Sequence, residues 1–301
     1  MDKADLHVHT TISDGTFSPS QVVFIAAKIG LQAIAITDHD SVGGIDEATE
    51  TLRKYSNHIN VEIISGVEIS TDFPNGRMHI LGFCINHGNA DLNALLERGK
   101  ESRKNRELGI IEKLNSLGMS ITIDEVRAIT GKKDLSRPEF AKALLHKKCV
   151  ADIHEAFSRY LKKGMPAYVR RDKVGPAEAI DAIRAAGGIP VLAHPTQLKL
   201  GTEDLRELIA DLVPKGLQGI EVYYPSHTRS ETDDYTRIAE QHHLIQTGGS
   251  DFHGLEKPAI WLGQVTVSYR LVELLKNQSK SSNILLSNSR SSSGNKGISD
   301  S

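Results

Sequence analysis

The sequence predicts an α/β fold, a distorted (β/α) barrel of about seven strands that carries an inserted helical subdomain. Two observations lead to this prediction. Short apolar strand patterns alternate with amphipathic helix patterns over residues 1–90 and again over residues 169–276. The intervening residues 91–168 are predominantly helical in pattern, as expected for an insertion or lid. The final segment, 277–301, is Ser-rich and lacks periodicity, so it is predicted to be a disordered tail.

The first part of the barrel contains four strand patterns and two helix patterns. In the first helix, Ser18 stands where an N-cap is expected, Pro19 occupies the first turn, and Gly30 ends the apolar period. The run LQAIAIT that follows is typical of a buried parallel strand. The predicted elements are strands over 4–10, 31–40, 61–70 and 78–86, and helices over 18–30 and 43–56.

The remaining elements follow the same reasoning. Within the insertion, the segment that begins at Asp91 has a helical apolar period and a basic outer face, and two shorter helices follow it. Beyond the insertion, helix patterns again precede strand patterns, which suits a barrel better than an open sheet. Helices are predicted over 91–118, 136–148, 152–164, 175–188, 203–216 and 231–243, and strands over 189–195, 217–225 and 244–254.

Composition excludes several classes of protein. The formal net charge of -2 gives no general attraction to nucleic acid or to an anionic membrane. The longest apolar stretch is interrupted by Lys28, Gly30 and Gln32, so no membrane span is predicted. A strand pattern begins within a few residues of Met1 and leaves no room for a signal peptide. Two distant cysteines match no metal or redox motif, and a cytoplasmic location without an obligate protein partner is expected.

Residues that can bind metal ions stand at or near the ends of most predicted strands. Each one alone has an ordinary explanation, since Asp38 or Asp40 would also cap the next helix. Strand ends that point the same way converge on one pocket, however, and many imidazoles and carboxylates would be poorly satisfied there without cations. The sequence therefore predicts a metal site. The residues are His7, His9, Asp14, Asp38, His39, Asp40, Glu68, His79, His194, Asp251 and His253.

The motifs DLHVHTTISDG, ITDHD, GVEIS, AHP and SDFHG, in this order and spacing, resemble the PHP (polymerase and histidinol phosphatase) family of metal-dependent phosphoesterases. The resemblance runs from Asp5 to Gly263. The segments SRPEFAKALL, AFSRYLKKGMPAYV and GIEVYYPSHT resemble the branch of nucleoside 3',5'-bisphosphate phosphatases and 5'→3' exoribonucleases. The resemblance to the family implies a seven-stranded barrel that binds three divalent metal ions and hydrolyses phosphate esters.

The resemblance also implies how the ligands are divided. The first ion would be held by His7, His9, Glu68 and Asp251, the second by Glu68, His79 and His194, and the third by Asp14, His39 and His253. Nitrogen and oxygen ligands without a thiolate suit Mn²⁺, Fe²⁺ or Zn²⁺, and the family favours manganese. Asp38 and Asp40 are predicted to orient ligand imidazoles from behind.

The catalytic and substrate-binding roles are further expectations. Asp251 is the candidate proton shuttle, and His227 is the candidate acid for the leaving group and a substrate contact. Arg137 is expected to bind a second phosphate, with Arg171 behind it. The predicted substrate is a nucleoside 3',5'-bisphosphate, extending to short RNA. A histidinol-phosphatase-like or AMP phosphatase and a non-catalytic metal-binding module are the alternatives.

Overall fold

In a computed structural model, residues 2–74, 76–132 and 135–293 are described, the segment 282–293 by its backbone alone. The described part contains seven strands: β1 (Ala4–Val8), β2 (Ala33–Ile36), β3 (Glu62–Thr71), β4 (Met78–Phe83), β5 (Ile189–Leu192), β6 (Gly219–Tyr223) and β7 (Ile245–Gly248). Its α-helices are α1 (Pro19–Lys28), α2 (Gly44–Lys54), α3 (Ala90–Ser116), α4 (Ile123–Thr130), α5 (Arg137–His146), α6 (Ile153–Ala156), α7 (Pro176–Ala185), α8 (Thr202–Leu212), α9 (Arg229–Gln241) and α10 (Tyr269–Ser293).

The strands form one sheet in sequence order from β1 to β7, and this confirms the predicted seven-stranded barrel. The barrel is nearly closed where the chain after β7 meets the end of β1. There the His9 nitrogen donates to the Phe252 carbonyl at 2.9 Å, and the Phe252 nitrogen donates to the His7 carbonyl at 3.3 Å. The residues after β7 are therefore fixed directly beside the two histidines of β1.

The sheet is not wholly parallel, because β4 is antiparallel to both β3 and β5. The link between β3 and β4 covers only residues 72–77, which is too short for the crossover that a parallel pair requires. His79 consequently lies near the beginning of its strand, opposite Ser70 of β3. The reversal brings the start of β4 to the barrel edge where the neighbouring parallel strands end.

Two local features hold the ends of β1 and α1 in place. Ser18 and Gln21 form the capping box of α1, with Pro19 as its first residue, as the sequence predicts. Near the other end of the chain, a Cβ atom at Gly249 would collide with the His7 backbone nitrogen. Only glycine permits this close approach, which places the following Ser250 and Asp251 against β1.

The chain divides into two compact units, residues 1–96 with 174–301 and residues 97–173. The first unit contains the barrel, and its core is packed with the aliphatic side chains of the strands and of the surrounding helices. The second unit is helical and has its own buried cluster, which includes Ile110, Leu114, Phe140 and Leu144. The insertion predicted at 91–168 covers most of this second unit.

The end of the chain differs from the prediction. The segment from 277 to 293 is the continuation of α10 rather than a disordered tail, and residues 294–301 lie outside the described residues. The beginning of this helix buries Val272 and Leu275, and the Ser279 hydroxyl donates to the Gly187 carbonyl at 2.7 Å. These contacts fix the beginning of the helix. Because extending an existing helix is easier than starting one, the helix can continue into a segment whose Ser-rich composition does not itself favour a helix. Among the described residues, no helix has both the length and the hydrophobicity to cross a membrane.

Candidate metal centre

The centre is built on the two histidines at the end of β1. Residues two apart in a strand point to the same side, and the rings of His7 and His9 accordingly lie 5.2 Å apart between centroids. Both side chains are completely buried. Glu68 of β3 and Asp251, which follows β7, face these two rings, and their carboxylates are also almost fully buried.

The first group of potential ligands consists of His7, His9, Glu68 and Asp251. Glu68 Oε2 lies 3.2 Å from His7 Nε2 and 3.1 Å from His9 Nε2. Asp251 Oδ1 lies 3.6 Å and 3.2 Å from the same two nitrogens. Two imidazole nitrogens and two carboxylate oxygens thus surround one point, which is the ligand number and type of a mononuclear site with mixed N/O donors.

The second oxygen of Glu68 faces a different pair of imidazoles. Glu68 Oε1 lies 2.8 Å from His79 Nδ1 and 2.8 Å from His194 Nε2. The ring centroids of these two histidines are 5.1 Å apart. His39 also approaches Glu68, with its Nδ1 3.1 Å from Oε2. One carboxylate therefore presents one oxygen to each of two ligand sets, the arrangement of a bridging ligand.

A third group gathers around Asp14 in the loop after β1. His253 Nε2 lies 3.3 Å and His39 Nε2 3.9 Å from the Asp14 carboxylate, and His9 belongs to the same group. His253 Nδ1 lies 2.7 Å from the Asp251 carbonyl oxygen. A proton held at that hydrogen bond leaves Nε2 of His253 as the nitrogen that faces Asp14.

Several buried polar atoms of the centre lack a hydrogen-bond partner, and this fits a cation. They are His7 Nε2, His9 Nε2, His39 Nδ1 and Glu68 Oε2, all of which point into the space between the ligand groups. Leaving such atoms unsatisfied costs about 1–3 kcal/mol each in an interior. A divalent ion would satisfy all of them at once, because imidazole nitrogen and carboxylate oxygen are the donors such ions take.

The electrostatics of the ligands point the same way. Burial opposes a charge on His7, but the carboxylates of Glu221, Glu68 and Asp251 outweigh it and raise the His7 pKa well above its usual value. Burial is similarly outweighed at His9, where Asp251 and Glu68 raise the pKa to about 9. The nearby imidazoles hold the pKa of Glu68 well below its usual range. Burial instead lowers the pKa of His39 to about 3 and also lowers the pKa of His79 and of His253. In the metal-free centre, positive charge is therefore stabilised at His7 and His9, beside the carboxylates of Glu68 and Asp251.

Three of the seven described non-glycine residues with positive φ angles belong to this centre. Asp40, His194 and Asp251 all have positive φ angles, of 50°, 26° and 53°. Residues other than glycine adopt such angles rarely, and each costs of order 1–3 kcal/mol unless the surroundings enforce it. Their clustering around one pocket is typical of a functional site.

The carboxylates of Asp38 and Asp40 have different hydrogen-bond partners. The Asp38 carboxylate accepts hydrogen bonds from the nitrogen and hydroxyl of Thr10, both at 2.8 Å, and from the Ser13 hydroxyl at 2.7 Å. It therefore shapes the loop after β1, and the Ser13 hydroxyl that it accepts from lies 3.5 Å from His9 Nδ1. Asp40 Oδ1 accepts from the Ser70 nitrogen at 2.8 Å.

The sequence reasoning missed three side chains that contact the ligands. Glu221 of β6 lies 2.9 Å from His7 Nδ1. Tyr224 donates to Asp251 Oδ2 at 2.8 Å, and Lys257 Nζ lies 2.7 Å from the same oxygen. An acid in the otherwise apolar strand GIEVY was an available signal for Glu221, whereas nothing local distinguishes Tyr224 or Lys257.

His227 lies near these side chains but is poorly suited to donate a proton. Its Nδ1 is 2.8 Å from the Val222 carbonyl oxygen, so the neutral ring carries its hydrogen there. Burial lowers the pKa of His227, which disfavours the doubly protonated ring. Its Nε2 is buried without a hydrogen-bond partner.

The helical unit contains a cluster of arginines, Arg103, Arg106, Arg137 and Arg171. Burial and the charges of the other three lower the pKa of Arg106 to about 10. The Arg137 guanidinium also lies over the Tyr168 ring, 5.6 Å from its centroid, and Arg171 donates to the Gly99 carbonyl at 3.4 Å. Thus Arg103 and Arg106, on the helix whose basic face the sequence suggested to be solvated, are half-buried beside the two predicted phosphate ligands.

Comparison with known proteins gives consistent results. The model of the PHP domain matches residues 5–108. A 5'-3' exoribonuclease of Haemophilus influenzae is 34% identical over 83% of this chain and 90% of its own length. A 3',5'-nucleoside bisphosphate phosphatase of Chromobacterium violaceum is 32% identical over 84% of this chain and 88% of its own. A crystal structure from Bifidobacterium adolescentis, presented as a metal-dependent phosphoesterase, superposes with a TM-score of 0.72 at 30% identity and covers 91% of this chain and 96% of its own.

Proposed function

Because this chain belongs to the PHP family of metal-dependent phosphoesterases, we propose that it hydrolyses the 3'-phosphate of nucleoside 3',5'-bisphosphates. The observation that carries the chemistry is the Glu68 carboxylate, which presents one oxygen to His7 and His9 and the other to His79 and His194. Adjacent cation sites that share a carboxylate suit phosphate ester hydrolysis, in which two ions stabilise the attacking and leaving oxygens.

Three ions are proposed, with Mn²⁺ as the metal and Fe²⁺ or Zn²⁺ as alternatives. Besides the first and third groups, His39, Glu68 and His79 can surround an ion, and His194 lies 2.8 Å from the same Glu68 carboxylate. When bound, they acidify water and neutralise charge on the phosphoryl oxygens. Their proposed ligands are His7, His9, Glu68 and Asp251 for the first, Glu68, His79 and His194 for the second, and Asp14, His39 and His253 for the third.

Asp251 is the proposed proton acceptor beside the attacking group. Its Oδ1 faces the first ligand group, while Tyr224 and Lys257 hold Oδ2 at 2.8 Å and 2.7 Å. Lys257 and the nearby histidines outweigh burial and keep the pKa of Asp251 well below its usual range, so the carboxylate is charged and suited to bind a cation. A carboxylate of low pKa is a weak base, so the proposed role is to pass a proton on and not to retain it. His227 is no longer the favoured acid, because its ring hydrogen bonds a carbonyl.

The second phosphate is proposed to bind Arg137, with Arg171 behind it. The mutual proximity of four arginines in the helical unit supports this, since an anion would relieve their repulsion. Glu139, two residues after Arg137, accepts from the Ser136 nitrogen at 3.0 Å in the capping box of α5. The Glu139 carboxylate therefore forms its hydrogen bond with the N-cap residue of α5.

A second candidate, 5'→3' trimming of RNA, is favoured by the similarity to the exoribonuclease of Haemophilus influenzae. Purified protein with Mn²⁺ would be assayed against adenosine 3',5'-bisphosphate, AMP, histidinol phosphate and a 5'-phosphorylated oligoribonucleotide. We expect the bisphosphate to have the highest kcat/KM. Preference for histidinol phosphate or for AMP would contradict the proposed substrate. No turnover of any substrate by protein with bound metal would favour a non-catalytic module.

A further inference from the structure

We propose that Glu221 is a positioning residue that couples two of the metal sites, an inference that rests on the ligand assignment above. Glu221 lies on β6 and is completely buried. Its two oxygens reach two different proposed ligands, one on β1 and one after β5. A single carboxylate thus determines the conformation of ligands for two separate ions.

The first contact determines which nitrogen of His7 is available. Glu221 Oε1 lies 2.9 Å from His7 Nδ1 and accepts a hydrogen bond from the N–H group there. The lone pair of the neutral ring is then on Nε2, which lies 3.2 Å from Glu68 Oε2. A carboxylate behind a ligating histidine fixes its tautomer and raises its basicity, and its loss commonly reduces metal affinity 10–100-fold.

The second contact holds the backbone of His194. Its nitrogen donates to Glu221 Oε2 at 2.7 Å, and its φ and ψ angles are 26° and 68°. A histidine adopts such angles only where its surroundings enforce them. The resulting backbone directs Nε2 to within 2.8 Å of Glu68 Oε1.

A closed ring of contacts links Glu221, His7, Glu68 and His194. Glu221 contacts His7 and His194 from behind, and Glu68 contacts the same two residues from the front through its two oxygens. A displacement of Glu221 therefore moves a ligand of the first ion and a ligand of the second ion together. Loss of this residue should weaken both sites, whereas loss of an ordinary ligand contact should weaken one.

The Glu221→Gln variant separates the two contacts chemically. An amide has one acceptor oxygen, so it serves either the His7 Nδ1–H or the His194 N–H and presents its own NH₂ group to the other. The matched control is Glu62→Gln on β3, which removes the charge from a glutamate bonded to Tyr269 and Lys276 instead of to a ligand. Both variants would be stripped with EDTA, desalted and titrated with Mn²⁺, with free Mn²⁺ measured by electron paramagnetic resonance.

We expect Glu221→Gln to raise the dissociation constants of the two tightest Mn²⁺ sites about 10–100-fold and Glu62→Gln to leave them at the wild-type values. Thermal unfolding in EDTA supplies the readout for a merely structural role. A loss of metal-free stability with unchanged Mn²⁺ affinity, or weakening of one site alone, would overturn the coupling. If Glu221→Gln does not fold, Glu221→Asp, which keeps the charge but is too short to make both contacts, is judged by the same affinities.

The titration contains no substrate, so its result is independent of the proposed reaction. Wild-type protein that binds Mn²⁺ at coupled sites but hydrolyses no nucleotide would contradict the proposed function and support the coupling. Wild-type protein that binds no Mn²⁺, Fe²⁺ or Zn²⁺ would overturn the coupling, because the ligand assignment beneath it would be wrong.

Discussion

Replacing Glu68 by glutamine should weaken two of the proposed ion sites at once. Its Oε2 lies within 3.2 Å of His7 Nε2, and its Oε1 lies within 2.8 Å of His79 Nδ1 and His194 Nε2. The substitution removes the charge from the middle of these imidazoles and turns an NH₂ group toward one set of them. The overall shape of the side chain is kept, so the change tests charge and acceptor capacity.

The magnitude follows from the burial of this carboxylate. Removing one partner from a buried charged network costs about 3–5 kcal/mol. At about 1.4 kcal/mol per factor of ten, that corresponds to a loss of roughly 10²- to 10³-fold or more in metal affinity or kcat/KM. Since Glu68 serves two proposed ions, we expect the fall in kcat/KM to be on the order of 10³-fold or greater.

The assay measures two quantities on the same preparation. Metal content after desalting is determined by inductively coupled plasma mass spectrometry, and kcat/KM is measured with the best substrate of the panel. Glu62→Gln, at the opposite end of β3, is the control for loss of a glutamate charge from the same strand. A Glu68→Gln protein that keeps wild-type metal content and activity within tenfold would refute the bridging role.

Four further predictions concern other residues. His9→Ala should abolish turnover and leave the far-UV circular dichroism unchanged; retained activity would remove His9 from the ligand set. Arg137→Ala should raise KM for the bisphosphate and spare AMP, and an equal loss on both would count against the phosphate clamp. The His9 pKa is about 9 when folded against 6.5 ordinarily, so its ion pairs stabilise the metal-free protein fully below pH 6.5 and are lost as pH rises through 9. Denaturation in EDTA should show a fall of up to ~3 kcal/mol from His9 over this interval, and a smaller pH dependence in His9→Ala, where the pKa of His7 is still raised. Burial raises the pKa of the Cys84 thiol to about 11, so at pH 8 iodoacetamide should modify it more slowly in folded than in unfolded protein, and equal rates would show that it is not protected.

Much of the site could be predicted because most of the potential metal ligands belong to short motifs that are continuous in the sequence. His7 and His9 are two apart in a strand, and this spacing alone places both rings on one side. Glu68 lies in a predicted strand and Asp251 follows another. In a barrel, the ends of these strands meet at the same edge of the sheet, so the two carboxylates are expected to lie close together. The resemblance then assigned Asp14 to a different ion from the first, and the structure brings Asp14 to His39 and His253, with His9 common to both groups.

Features that depend on contacts between distant segments were missed. Glu221 has no neighbouring motif, and its importance appears only because β6 lies where its carboxylate meets His7, 214 residues earlier in the chain. The helical continuation of α10 likewise depends on anchors such as Ser279, which bonds the Gly187 carbonyl. A Ser-rich composition alone cannot reveal such an anchor.

The sequence by itself determined the kinds of donor atom, their distribution over the strands and the family of fold, since each depends on side-chain chemistry and on the two-residue period of a strand. Only the tertiary structure decided which atom faces which. The reversal of β4 brings His79 to the shared edge, and Glu68 divides its two oxygens between two histidine pairs. The reason is physical: a ligand's direction is set by the partner behind it, and that partner comes from elsewhere in the chain.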